Sequence, residues 1–212
     1  SRVADFLVAV AAIGRLDVRF HPVFPGRFNL LARVTPGRIR QRVVLAPHMD
    51  TVGHAMMPDS LFQPKRNGDR LFGRGACDTK GSIAAMLTAL LNVARSPNRP
   101  GERKIIFPAL VDEENNQSGS RALVENGFRA DLVIVGEPTR LKVVTAHKGD
   151  LWLTLRTHGK AAHGSQPELG HNAVHAMARV VDWLETDYAK RLAKKSHALL
   201  GPATVNAGSI PG

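Results

Sequence analysis

Arg42-Val43-Val44-Leu45-Ala46-Pro47-His48-Met49-Asp50 is the stretch on which the fold turns. An apolar run of this length, bounded by a turn residue, reads as a buried strand. An imidazole and a carboxylate follow it at once. Three further clusters sit in similar positions: Asp78 after Gly73-Arg74-Gly75, Glu113-Glu114 after Lys104 to Val111, and Glu137 after Asp131 to Val135. In an open α/β sheet, ligands gather just beyond the carboxyl ends of the strands. Carboxylates brought together there would repel one another and be costly to desolvate. A divalent cation removes that penalty, and His plus carboxylate is a donor set suited to zinc or a similar metal. The pattern implies a metal-dependent hydrolase.

Working outward, Phe28 to Val34 reads as a strand joined to Arg42–Ala46 by the turn Thr35-Pro36-Gly37. Pro58 to Gly75 reads as a long loop carrying a short strand at Arg70-Leu71-Phe72. Thr79 to Arg95 is the clearest helix: Ile83, Met86, Leu87, Leu90, Leu91 and Ala94 form one apolar stripe, Asp78 stands at the N-cap, and Ser96-Pro97 ends it. Strand Lys104 to Val111, a helix around Ser120 to Asn126 and strand Asp131 to Val135 complete a strand–helix alternation. The expected fold class is α/β, a mostly parallel sheet covered by helices. The character changes near Gly149. Leu151 to Thr157 alternates apolar and polar side chains like a half-exposed strand, and a helix from about Asn172 to Glu185 and a strand near Ala203 to Ala207 follow. The expected domains are 1–148 and the start of a smaller α+β domain, 149–212, too short for a comfortable core and apparently truncated.

Composition narrows the function classes. The 212 residues are 43% hydrophobic, and no apolar stretch approaches the length of a membrane span. The run Val3 to Ile13 is interrupted by Asp5 and lacks both a basic leader and a clear cleavage site, so it reads as a helix rather than a signal peptide. A single cysteine, Cys77, forbids an internal disulfide and fits a reducing compartment, so the cytoplasm is expected. The net charge of +11 raises the question of nucleic acid. The basic residues are scattered, however, with one cluster at Lys190-Arg191 and Lys194-Lys195, and aromatics for base stacking are few. Neither nucleic acid nor membrane is expected as a partner, and attraction of anionic small substrates is the better use of the field.

Each cluster alone has a bland reading. His48 could be a satisfied loop histidine, with Asp50 as the acceptor that fixes its tautomer. Asp78 could simply cap its helix. Glu113-Glu114 could be a solvated acidic turn, or could divide their work between a metal and a bound water. Phosphate binding is excluded at Asp78, because Thr79-Lys80-Gly81 has the wrong order for a phosphate loop and the carboxylate would repel the anion. Cys77 reads as a small buried side chain beside the site. His54, His147, His158, His171, His175 and His197 read as structural or surface residues.

Taken in order, the clusters resemble the zinc-dependent amidohydrolase and exopeptidase family that includes acetylornithine deacetylase, succinyl-diaminopimelate desuccinylase, aminoacylase and glutamate carboxypeptidase. The matching motifs are His48-Met49-Asp50-Thr51-Val52, Gly73 to Gly81, Asp112-Glu113-Glu114 with Ser118-Gly119-Ser120, and Gly136-Glu137-Pro138-Thr139. A fifth, Gly159 to Ser165 with Pro167 and Gly170 to Ala173, resembles the family's lid domain. The resemblance implies two zinc ions, with cobalt or manganese as substitutes. By the same resemblance Asp78 would bridge them, His48 and Glu137 would complete one site, and Glu114 would belong to the other. It also implies that Asp50 orients His48, that Glu113 passes a proton from the attacking water to the departing amine, and that His163 donates to the oxyanion from the lid of a homodimer. The family's second metal site takes a further histidine near the end of the catalytic domain, which these 212 residues do not supply at that place. The implied substrate is a small anionic N-acyl amino acid or a peptide. Glu at position 137 resembles the deacylase and carboxypeptidase branches. A metallo-exopeptidase and a non-catalytic dimerising family member remain as alternatives.

Overall fold

The structure is a computed structural model that describes residues 2–53, 58–98 and 101–210. It divides into two compact units, 1–141 and 142–212. The first is built on a five-stranded sheet. Its strands are β1 (Asp17–Phe24), β2 (Arg27–Val34), β3 (Gln41–Ala46), β6 (Arg103–Ala109) and β7 (Leu132–Val135), in the order β1-β2-β6-β3-β7. The pairings β6–β3 and β3–β7 are parallel, whereas β1–β2 and β2–β6 are antiparallel. The parallel part is the one whose carboxyl ends carry His48, Glu113 and Glu137. A separate hairpin pairs β4 (Lys65–Asn67) with β5 (Arg70–Phe72).

Sequence periodicity explains which faces are buried. In α1 (Arg2–Ile13), Ala4, Leu7 and Ala11 recur at helical spacing and are buried. In α2 (Gly81–Arg95), Ile83, Leu87 and Leu90 do the same. Both helices contribute to one core with Leu30, Ala32 and Val34 of β2 and Phe107 and Ala109 of β6. A smaller core on the other face joins Val44, Ala46 and Ile106 to Leu31, Leu110 and Phe128, the last just beyond α3 (Ser118–Glu125). Phe107 and Leu90 are wholly enclosed. Each such side chain contributes roughly 1.5–3 kcal/mol relative to exposure.

β1 goes beyond the sequence expectation. Asp17, Arg19, His21 and Pro22 give it no apolar run, and it pairs along one side only, as an edge strand where proline and charge are tolerated. Its register shifts between Pro22 and Phe24.

The 142–212 unit departs further. Leu151 to Thr157 forms no strand; Leu151, Trp152 and Leu153 are all more than 70% exposed, so the alternation has no face to bury. No strand forms at Ala203 to Ala207; the pairing there joins β8 (Ser196–His197) to β9 (Gly201–Pro202). The expected helix is present as α4 (Ala173–Trp183), continuing through a wider turn at Leu184–Tyr188 into α5 (Ala189–Ala193). Asn172 starts it, its side-chain oxygen accepting from the Val174 and His175 N–H groups at 2.9 and 3.1 Å. Among the described residues, no helix is long and apolar enough to cross a membrane.

Candidate metal centre

β3 and β6 stay laced past their ends, and that lacing fixes His48. Leu110 N–H donates to Pro47 O, and Met49 N–H donates to Leu110 O at 2.8 Å. The buried Thr79 hydroxyl donates to His48 O at 2.9 Å. With its backbone held on both sides, the His48 ring is 1% exposed. It faces carboxylates from four chain segments. Nδ1 lies 3.5 Å from Asp50 Oδ1, at ion-pair rather than close hydrogen-bond range. Nε2 lies 3.0 Å from Asp78 Oδ1, 3.7 Å from Glu113 Oε2 and 3.9 Å from Glu137 Oε1.

Local chain geometry delivers each carboxylate. Gly75 turns left-handed (φ +71°), and a side chain there would run into the Lys80 ammonium and Thr51. The turn closes with Lys80 N–H on Gly75 O. Asp78 does not cap the following helix, contrary to the sequence expectation: its backbone is extended, the helix begins at Gly81, and the carboxylate is spent on His48. The Asp78–Thr79 peptide is cis. Glu137 follows a strand end tied down by Gly136 N–H on Ala46 O.

Glu113 and Glu114 ride on a loop between two left-handed residues, Asp112 (φ +62°) and Gln117 (φ +57°). Such backbone costs a non-glycine residue about 1 kcal/mol or more. Ser118 Oγ donates to Asp112, and the completely buried Asn29 of β2 brackets the loop. Asn29 Oδ1 accepts from Val111 N–H at 3.0 Å, and its Nδ2 donates to Gly119 O at 2.8 Å. A side chain on Gly119 would meet Val111 O and Asn29 Oδ1. Glu114 N–H donates to Asp50 Oδ2 at 3.1 Å, joining this loop to the one after β3. Sequence reasoning missed Asn29 and Thr79. The only sequence trace of Asn29 is a polar side chain inside an otherwise apolar segment, and Thr79 is marked only by following Asp78.

The electrostatics follow from this crowding. Burial draws the His48 imidazole down, but its interactions with Asp50 and Asp78 and the charges of Glu113 and Glu137 outweigh it, raising the pKa to about 9. Burial lifts Asp50, yet His48 and the backbone N–H groups around Glu114 prevail and lower it to about 2. Glu113 and Glu137 are both pushed above the usual carboxylate range, by burial first and by neighbouring carboxylates after it, despite the opposing pull of His48. The donor atoms fall in two groups, each within 4.8 Å: His48, Asp78 and Glu114, and His48, Glu113 and Glu137. One imidazole and four carboxylates are a hard-to-borderline donor set that fits zinc or a similar divalent ion.

His163 and Cys77 are both exposed. His163 belongs to the 142–212 unit, where it is exposed and its Nδ1 lies 2.8 Å from Ser165 Oγ. Cys77 is exposed, correcting the expectation of a buried filler, and it belongs to neither donor group. The turn that aims Asp78 inward leaves Cys77 facing out. His54 lies outside the described residues.

The chain is similar to known proteins over most of its length. Residues 44–206 match the model of peptidase family M20/M25/M40. A probable succinyl-diaminopimelate desuccinylase of Staphylococcus epidermidis is 32% identical over 88% of this chain and 46% of its own length. An acetylornithine deacetylase of Vibrio cholerae is 33% identical over all of this chain and 55% of its own. A probable carboxypeptidase of Aspergillus terreus is 36% identical over 88% of this chain and 44% of its own. The chain spans about half the length of the curated relatives it matches.

Proposed function

The chain belongs to peptidase family M20/M25/M40, and from that premise we propose that the protein is a metal-dependent hydrolase of the amide bond in N-acyl amino acids, of the deacetylase and desuccinylase type. The observation that carries the reading is the convergence of Asp78, Glu113, Glu137 and Asp50 on one buried imidazole at the carboxyl ends of parallel strands. Relatives named for deacetylation and desuccinylation support the substrate class.

In this reading His48, Asp78, Glu114 and Glu137 hold two zinc ions, with cobalt or manganese as substitutes. When bound, the metal acts as a Lewis acid on the amide carbonyl. The charge of Asp50, 3.5 Å from His48 Nδ1, favours the proton on that nitrogen, which leaves the Nε2 lone pair turned toward the donor cluster. Glu113, whose affinity for a proton is raised by its setting, takes one from the attacking water and returns it to the departing amine. A positioned carboxylate of this kind contributes about 10² to 10⁴ in rate. His163, with Nδ1 held against Ser165, offers Nε2 as the oxyanion donor. We assign residues 149–212 to a lid through which two copies associate in the cytoplasm. The exposed Leu151, Trp152 and Leu153 support such an interface.

The test combines metal analysis with a panel of N-acetyl amino acids, N-succinyl amino acids and dipeptides. Glu113→Ala is expected to retain metal while losing most turnover. Undiminished hydrolysis by that variant rejects the role of Glu113. Cleavage confined to peptides moves the reading to the carboxypeptidase alternative, which a relative of that name supports.

A further inference from the structure

The strands that end at the acidic cluster begin at a basic one. Side chains alternate across the sheet, so Arg42, Val44 and Ala46 of β3 share a face with Lys104 and Ile106 of β6 and with Arg33 of β2. Toward the carboxyl ends this face is apolar. Toward the amino ends it opens into a groove of about 230 Å³, walled by Arg33, Arg42, Lys104 and Arg129 over a floor that includes Ile106 and Phe128.

The positive charge there is poorly answered. Arg42 stands opposite Lys104 in the parallel ladder, where like charges destabilise a pair. Asp17 is committed to Arg33 at 2.6 Å, and Asp131 accepts from the Arg42 backbone N–H. Arg129 donates to a neutral carbonyl, Phe128 O, at 2.8 Å. Among the described residues, the side chains of Arg42 and Lys104 make no hydrogen bond or ion pair. Burial first, then the charges of Arg33 and Arg42, depress the Lys104 ammonium below its ordinary value. A larger groove, about 430 Å³, lies beside Arg40 and Arg103 and differs in kind. Glu102 pairs with Arg38 and Arg40, and Gln41 accepts from Arg103.

We propose that the groove between Arg33, Arg42, Lys104 and Arg129 is a binding site for a small phosphate-bearing molecule, separate from the metal centre. Guanidinium forks match phosphate oxygens, and a dianion relieves the Arg42–Lys104 repulsion from one position. The apolar floor takes a short hydrocarbon or aromatic body, and the volume is too small for a nucleotide. The groove and the Glu113 loop lie at opposite ends of β6, roughly 20 Å apart by the rise of a strand.

Calorimetric titration of phenylphosphonate and inorganic phosphate into chelator-treated protein at low salt tests the assignment. Saturable one-to-one binding is expected, tighter for phenylphosphonate and weaker for the monoanion benzoate. The double variant Arg42→Gln/Lys104→Gln should weaken it by about tenfold or more, as loss of charge-assisted bonds requires. Should that variant fold poorly by circular dichroism, Arg129→Gln, at an exposed position, must weaken binding severalfold on its own. Absence of saturable binding, or an affinity that survives both substitutions, overturns the proposal.

Discussion

The two ends of β3 and β6 gather like charge in opposite ways. At the carboxyl ends the acids are answered: His48 stands between Asp50 and Asp78, Glu114 N–H binds Asp50, and Asn29 clamps both sides of the Glu113–Glu114 loop. At the amino ends Arg42 and Lys104 face each other across the ladder with little to separate their charges. Both clusters invite a ligand of opposite sign. Only the acidic one is framed by buried polar groups and tight turns, which aim oxygens inward against their repulsion. Charge placed by strand alternation alone makes a looser, more tolerant site.

The sharpest way to break this comparison is to remove the answering charge at the acidic end. His48→Ala leaves Asp50, Asp78, Glu113 and Glu137 facing one another without the imidazole. The lost buried ring and the uncompensated charges together cost about 2–3 kcal/mol, since Asp78, Glu113 and Glu137 are each more than a third exposed and partly screened, measurable as a lower urea midpoint. Metal uptake should fall with it; stoichiometric metal in the variant would show that the carboxylates suffice alone. Asn29→Leu comes next. It keeps the branched shape, though not the volume, while stranding Val111 N–H and Gly119 O, for an expected loss of about 2 kcal/mol. Weaker metal retention should accompany that loss, because the Glu114 segment loosens. Unchanged stability would mean that water replaces the amide.

A pH scan probes the same end more gently. His48 is raised to about 9 from an unfolded value near 6.5. Its contribution in chelator-treated protein is therefore complete below pH 6.5 and lost as pH climbs through 9, on the order of 3 kcal/mol. Metal needs the deprotonated imidazole, so metal binding should tighten over the same range. A chelated protein equally stable at pH 6 and pH 9 would remove His48 as the internal counter-charge.

How much of this was legible in the sequence depended on whether the signal was local. β3, β6, β7 and α2 were readable because a run or a stripe of apolar residues suffices to mark them. Three of the acidic clusters were readable because each follows such an element, and Asp78 because it stands just before the stripe of α2. β1 was not: a charged edge strand is stabilised by its partner β2 rather than by its own pattern. Leu151 to Thr157 failed in the opposite sense, since alternation makes a strand only where a partner and a core face exist. Asp78 carried two compatible readings, helix cap and ligand, and the non-helical backbone at Asp78–Thr79 rules out the first. Asn29 lies 82 residues from Val111 and 90 from Gly119. No spacing rule links positions so far apart.

The smallest effect lies at the basic end and has the opposite sign. Lys104→Gln removes one of two cations paired across the β3–β6 ladder, so it should stabilise the protein slightly, by about 0.5 kcal/mol or less at low salt. Lys104 is only partly buried, which keeps the gain small and screenable. In 1 M salt, where charges are screened beyond about 3 Å, it should vanish. A loss of stability at low salt would instead mean that attraction between Lys104 and Asp17 outweighs repulsion from Arg33 and Arg42. The amino-end cluster would then already be balanced, and its contrast with the acidic end would be one of sign alone.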